Sequence, residues 1–206
     1  MVFESGFPLL SGVNLELWPA TLSVIVGANG AGKTSLLRLL AGLCALSDGT
    51  GVVAGIDLRT GDLRQLRRRV GWLGHEGSFY DDLTVRENLV FAARALERPT
   101  EDVAVVVNRM GLDRRADMAT KQLSAGQRRR LGLAWLLLRR PELWLLDEPY
   151  ASLDFEGRTF FDALLAEVVA NGATVVVSAH DPLRDTALKP RTITLAGGLV
   201  TGDSAC

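Results

Sequence analysis

Residues Gly27-Ala28-Asn29-Gly30-Ala31-Gly32-Lys33-Thr34 follow the spacing G-x-x-x-x-G-K-[ST] at every fixed position. No other stretch restricts the possible folds as tightly. The apolar run Leu22–Val26 before it reads as a buried strand, and the segment from about Lys33 to Leu43 reads as a helix. A glycine-rich turn between a buried strand and a helix start is a phosphate cradle. Glycines let backbone N–H groups turn inward, and the helix N-terminus favours negative charge. The Lys33 ammonium can reach terminal phosphates, and the Thr34 hydroxyl can ligand a magnesium ion. Asn29, Gly30, Ala31, Gly32, Lys33, Thr34 and Ser35 are therefore the candidate phosphate-binding residues.

The rest of the chain alternates strand and helix signals. Val13–Trp18 alternates in polarity, which predicts a half-buried strand, and Val52–Ala54 and Val70–Leu73 are further short strands. From about Leu83 to Leu138 the apolar spacing is helical, punctuated by Pro99, Gly111 and Ser124. Strand signals return at Leu143–Leu146 and Thr174–Ser178, with a helix between them, and a hairpin turns at Gly197-Gly198. The last residues, from about Gly202 to Cys206, are expected to fray.

Leu143-Trp144-Leu145-Leu146-Asp147-Glu148-Pro149 is an apolar strand that ends in two carboxylates. The end of a parallel strand faces the ligand crevice of an open α/β sheet. Asp147 suits magnesium binding, and Glu148 suits a general base acting on an attacking water.

Shortly before that strand stands Leu123-Ser124-Ala125-Gly126-Gln127. In this order, between the phosphate loop and the acidic pair, it resembles the signature of the ATP-binding cassette (ABC) ATPases, which usually reads Leu-Ser-Gly-Gly-Gln. Ala151-Ser152-Leu153-Asp154 is similar to the family's D-loop, and His180 stands at its switch-histidine position. His75 occupies the place of a glutamine that in most members contacts magnesium and water. The resemblance covers essentially the whole chain.

That resemblance implies an ABC-type α/β fold within one nucleotide-binding domain, residues 1–206. Its parts are a P-loop NTPase core with a RecA-like mixed sheet and flanking helices, an antiparallel β subdomain, and a helical subdomain inserted at about residues 76–140. It also implies ATP and Mg2+ as ligands, with Glu148, His180 and His75 catalytic, Thr34 and Asp147 on the metal, and Ser124, Ala125, Gly126 and Gln127 contacting ATP bound by a second copy. The partners implied are that second copy, packed head to tail, and integral membrane transporter subunits. Phe79, Tyr80 and Leu83–Leu89 are the expected docking surface for the latter. The site implied is the cytoplasmic face of the cell membrane. The Leu-Gly-His variant loop, the alanine in the signature and Leu-Trp-Leu-Leu-Asp-Glu-Pro are most similar to the CcmA branch, whose members power haem export in cytochrome c maturation. The ATPase of another ABC exporter is the alternative. A non-transport clamp would need two cassettes or a long coiled-coil insertion.

Composition agrees. The net charge of -1 lacks the basic excess of a nucleic-acid binder. No apolar run is long enough to span a bilayer, so membrane work needs a partner. The start, with Glu4 and Pro8, does not read as a signal peptide. Cys44 and Cys206 follow no metal or redox spacing, and Cys44 reads as a core thiol within a helix.

Overall fold

In this computed structural model the described residues are 2–4, 7–74, 79–151, 153–183 and 189–204. They divide into two compact units, one of Met1–Trp72 with Glu142–Cys206 and the other of Leu73–Pro141.

The first unit opens with the antiparallel strands Val2–Glu4 (β1) and Phe7–Leu10 (β2), followed by the buried strand Leu22–Val26 (β3) and the helix Lys33–Leu40 (α1). A second small antiparallel pair, Val52–Val53 (β4) and Ile56–Asp57 (β5), precedes Leu63–Arg69 (α2) and Val70–Leu73 (β6). Among its described residues the second unit carries three α-helices, Val85–Ala95 (α3), Asp102–Arg109 (α4) and Ala125–Arg139 (α5). The chain then returns through Leu143–Leu146 (β7), Phe155–Ala170 (α6), Thr174–Ala179 (β8), Arg191–Ala196 (β9) and Leu199–Ser204 (β10).

Six strands form the main sheet in the order β10-β9-β3-β8-β7-β6. β9, β3, β8 and β7 run parallel to one another, and β10 closes the edge antiparallel to β9. Strands covered on both faces read as unbroken apolar runs. That is why Leu22–Val26 and Leu143–Leu146 are buried at every position. The register pairs Val26 with Ala179 and Leu146 with Val177, so β3, β7 and β8 end at one edge. This is the mixed α/β sheet that the family resemblance implies.

In the second unit, α3 starts on a capping box: Thr84 accepts from the Glu87 N–H, and Glu87 accepts from the Thr84 N–H. Val85, Leu89, Ala92 and Ala93 recur at three and four residues and face inward. The buried Asn88 binds the preceding loop, accepting from Tyr80 N and donating to Tyr80 O and Thr120 Oγ1 at 2.9–3.0 Å. Within Leu83–Leu89, then, Val85, Asn88 and Leu89 are core, because one face of an amphipathic helix must be. The exposed apolar surface here is instead Tyr80 against Phe91, edge to face at 5.2 Å.

Three local expectations change. Residues 13–18 alternate in burial, with Val13, Leu15 and Leu17 inward, yet form no strand. Residues 13–17 line a cleft of about 870 Å³ with Leu36, Leu39, Leu46 and Val53 instead of joining a ladder. Cys44 lies beyond the end of α1 and is only half-buried; burial pushes its thiol upward from its ordinary pKa. Gly202–Ser204 belong to β10 rather than to a frayed end, because Arg191 anchors them; Ala205 and Cys206 lie outside the described residues.

Arg191 is buried and grips Asp203 through two hydrogen bonds, at 2.7 and 2.5 Å. It also donates to the Glu16 carbonyl and stacks over Trp18 at 4.3 Å. The hydrogen bonds from Arg191 hold the Asp203 carboxyl below its ordinary pKa. A depressed carboxyl stabilises the fold above its unfolded pKa, about 3.9, and loses that contribution as pH falls through the folded value. Asp203→Asn is therefore expected to lower stability at neutral pH and to flatten its dependence on acid pH. Denaturant melts across an acid series would check this.

Candidate functional site

The loop after β3 turns through Gly30 and Gly32, at φ +78° and +101°. These are left-handed conformations that side chains resist. Gly27 is bare for another reason: a Cβ there would lie 2.2 Å from the Leu195 carbonyl oxygen. With the loop so folded, α1 begins at Lys33 and presents its N-terminus to the edge where β3, β7 and β8 end.

Lys33 is buried to 5% exposure, and its ammonium donates to the carbonyls of Gly27 at 2.7 Å and Ala28 at 3.2 Å. Glu148 Oε1 stands 3.8 Å away. Thr34 Oγ1 donates to Asp147 Oδ2 at 2.9 Å. The other oxygen, Asp147 Oδ1, accepts from Ser178 Oγ at 2.6 Å, and Ser178 Oγ in turn accepts from the Glu148 N–H at 2.9 Å. Glu148 adopts φ +45°, a left-handed backbone uncommon outside glycine and asparagine. His180, just past β8, brings Nε2 within 2.9 Å of Asn29 Oδ1. Asn29–Ser35, Asp147, Glu148 and His180 thus belong to one strand edge of one unit. Ser178 was missed from sequence; the signal available was a hydroxyl inside the apolar run Val175–Ala179.

The donor set fits magnesium. Thr34 and Asp147 offer hard oxygens side by side. Among the described residues no group of three or more His, Cys, Asp and Glu could hold a metal. Magnesium is commonly held by one or two protein oxygens together with substrate phosphates, so an ion here needs the phosphates to complete its shell.

In the second unit, Ser124 caps α5. Its Oγ accepts from the Gln127 N–H at 3.3 Å, and Gln127 Oε1 accepts from the Ser124 N–H at 3.0 Å. That box does not use the N–H groups of Ala125 and Gly126. A Cβ added at Gly126 would meet nothing within 4 Å. A helical glycine costs about 1 kcal/mol relative to alanine, and packing within the chain does not demand one here. The bare, donor-rich start suits a ligand approaching from outside. His75 and Ser152 lie outside the described residues.

The family model for ABC transporters matches residues 10–151. A cytochrome c biogenesis ATP-binding export protein CcmA from Cupriavidus metallidurans is 44% identical, over 85% of this chain and 83% of that protein. A protein of the same description from Rhodopseudomonas palustris is 38% identical, over 87% of this chain and 88% of its own. Among solved structures, a dimeric ATP-binding cassette in a post-hydrolysis state with ADP and Pi is 27% identical. It superposes with a TM-score of 0.86, over 98% of this chain and 94% of that one. Similarity of this extent, joined to a phosphate loop and an acidic strand end at one sheet edge, means that the chain belongs to the ABC transporter family, as an ATP-binding subunit that hydrolyses ATP.

Proposed function

We propose that this chain powers the haem exporter of cytochrome c maturation, binding Mg-ATP between two copies packed head to tail. Support comes chiefly from its likeness to the CcmA export proteins and from the Lys33–Thr34–Asp147–Glu148 arrangement. In this reading the loop residues Asn29–Ser35 wrap the phosphates, and Lys33 leaves its loop carbonyls to meet the β- and γ-phosphates. Thr34 and Asp147 hold magnesium, which, when bound, neutralises phosphate charge. Glu148 takes a proton from the attacking water. His180 exchanges Asn29 for the γ-phosphate. His75, which stands in the sequence where most members carry a glutamine, is the third catalytic candidate. Ser124, Ala125, Gly126 and Gln127 of one copy close on ATP held by the other.

Hydrolysis removes the phosphate contacts that favour the closed pair, and this difference in binding between open and closed states can move a partner. No described helix is long and apolar enough to cross a membrane. Attachment to the cytoplasmic face therefore falls to membrane subunits, with the Tyr80–Phe91 surface as the docking candidate. Pull-down of the tagged chain from native membranes tests the branch. Cytochrome c maturation membrane subunits are the expected catch; an unrelated permease as the sole membrane partner would overturn the haem assignment.

Ser124→Asp tests the contact between copies. Aspartate caps a helix about as well as serine, so the melting temperature should hold. A carboxylate set against a γ-phosphate is repulsive, and like-charge contacts cost several kcal/mol. Hydrolysis is therefore expected to fall at least ~10-fold, measured by phosphate release.

A further inference from the structure

We infer that Ser178 is a positioning residue for hydrolysis, aligning Asp147 and Glu148 through its single hydroxyl; this rests on the roles proposed above for those two carboxylates. Ser178 is fully buried, in a strand whose neighbours are Val177 and Ala179. It has no access to nucleotide and acts only through what it touches.

A hydroxyl offers one proton and two lone pairs. The proton goes to Asp147 Oδ1, and a lone pair receives the Glu148 N–H. The first bond, with Thr34 on Oδ2, pins both Asp147 oxygens and so sets the rotation of the carboxylate that would face magnesium. The second anchors Glu148 in its left-handed turn at φ +45°. Such a backbone persists only where its surroundings over-determine it. Released from the anchor, Glu148 can relax toward ordinary φ and swing its carboxylate away from the Lys33 side, where Oε1 now lies 3.8 Å from Nζ. One buried oxygen thus ties the metal-facing group to the base. The β7–β8 register, with Leu146 opposite Val177, brings them within reach.

The test uses the full chain as wild type, S178A, S178T, E148Q and S178A/E148Q. Hydrolysis is followed against ATP and magnesium, ATP affinity is measured with magnesium and in EDTA, and thermal melting is recorded. S178A is expected to lower kcat by ~10–100-fold, the usual cost of removing an outer partner of a metal ligand. ATP affinity in EDTA should stay near wild type, while the gain in affinity from magnesium shrinks and KM for Mg-ATP rises with it. S178T keeps the hydroxyl and should recover most of kcat. On the E148Q background, S178A should add little further loss in kcat, since residues acting as one unit are not additive. Wild-type kcat in S178A would overturn the inference, as would a kcat loss that S178T shares or that adds in full to that of E148Q. Undiminished turnover in E148Q would instead overturn the base assignment. The magnesium-dependent affinity of S178A would still judge Ser178.

Discussion

Glu148→Gln is expected to slow ATP hydrolysis by at least ~100-fold, the usual loss when a general base is removed, while leaving ATP binding intact. The substitution is nearly isosteric and keeps the backbone N–H that donates to Ser178, so the left-handed turn should survive. It removes the charge facing Lys33 at 3.8 Å, but Glu148 is about a third exposed, and such pairs contribute little to stability. What disappears is the group able to accept a proton from water. A chain that binds ATP and cannot consume it should accumulate as the ATP-bound dimer. Phosphate release and sedimentation in ATP read the two effects separately. Normal turnover with monomeric behaviour would remove Glu148 from the role of base.

The second large effect is expected at Lys33. Its ammonium sits on the Gly27 and Ala28 carbonyls, where it holds the loop curled and places a buried positive charge beside the phosphate position. Charge-assisted hydrogen bonds contribute about 1.5–3 kcal/mol. Lys33→Ala should therefore weaken ATP binding by about 10–100-fold. The loss should persist in EDTA, since it does not depend on magnesium. Unchanged affinity by equilibrium binding would argue against a phosphate contact. The two substitutions thus separate along one axis: Glu148→Gln binds without turnover, whereas Lys33→Ala fails at binding.

The features legible in sequence were those whose physics is local. A strand buried on both faces must be apolar throughout, and Leu22–Val26 and Leu143–Leu146 announced themselves that way. The phosphate loop was readable because its glycines answer to backbone angles that few other residues adopt. Features that depend on distant partners were not readable. The alternation in Val13–Trp18 returns as alternating burial, with Val13, Leu15 and Leu17 inward, but not as a strand. Whether a ladder forms depends on a neighbouring strand, which alternation does not encode. The order of β10 was set by Arg191, which grips Asp203 in its own hairpin but is itself held by the Glu16 carbonyl and Trp18, near the other end of the chain. Ser178 has no signature of its own in the sequence because its partners are set by the register of β7 on β8.

The position of β3 in the sheet bears on how the protein is made. β3 ends at Val26, but both of its neighbours, β8 and β9, begin only at Thr174 and Arg191. While the chain leaves the ribosome, the strand that carries the phosphate loop therefore waits, apolar and unpaired, until nearly all the rest has emerged. Such pairing between remote segments is slow and exposes aggregation-prone edges. The same arrangement means that a product cut short before β8 has neither its sheet nor His180. Truncated copies cannot assemble the nucleotide site, so they should not hydrolyse ATP even where their second unit is complete.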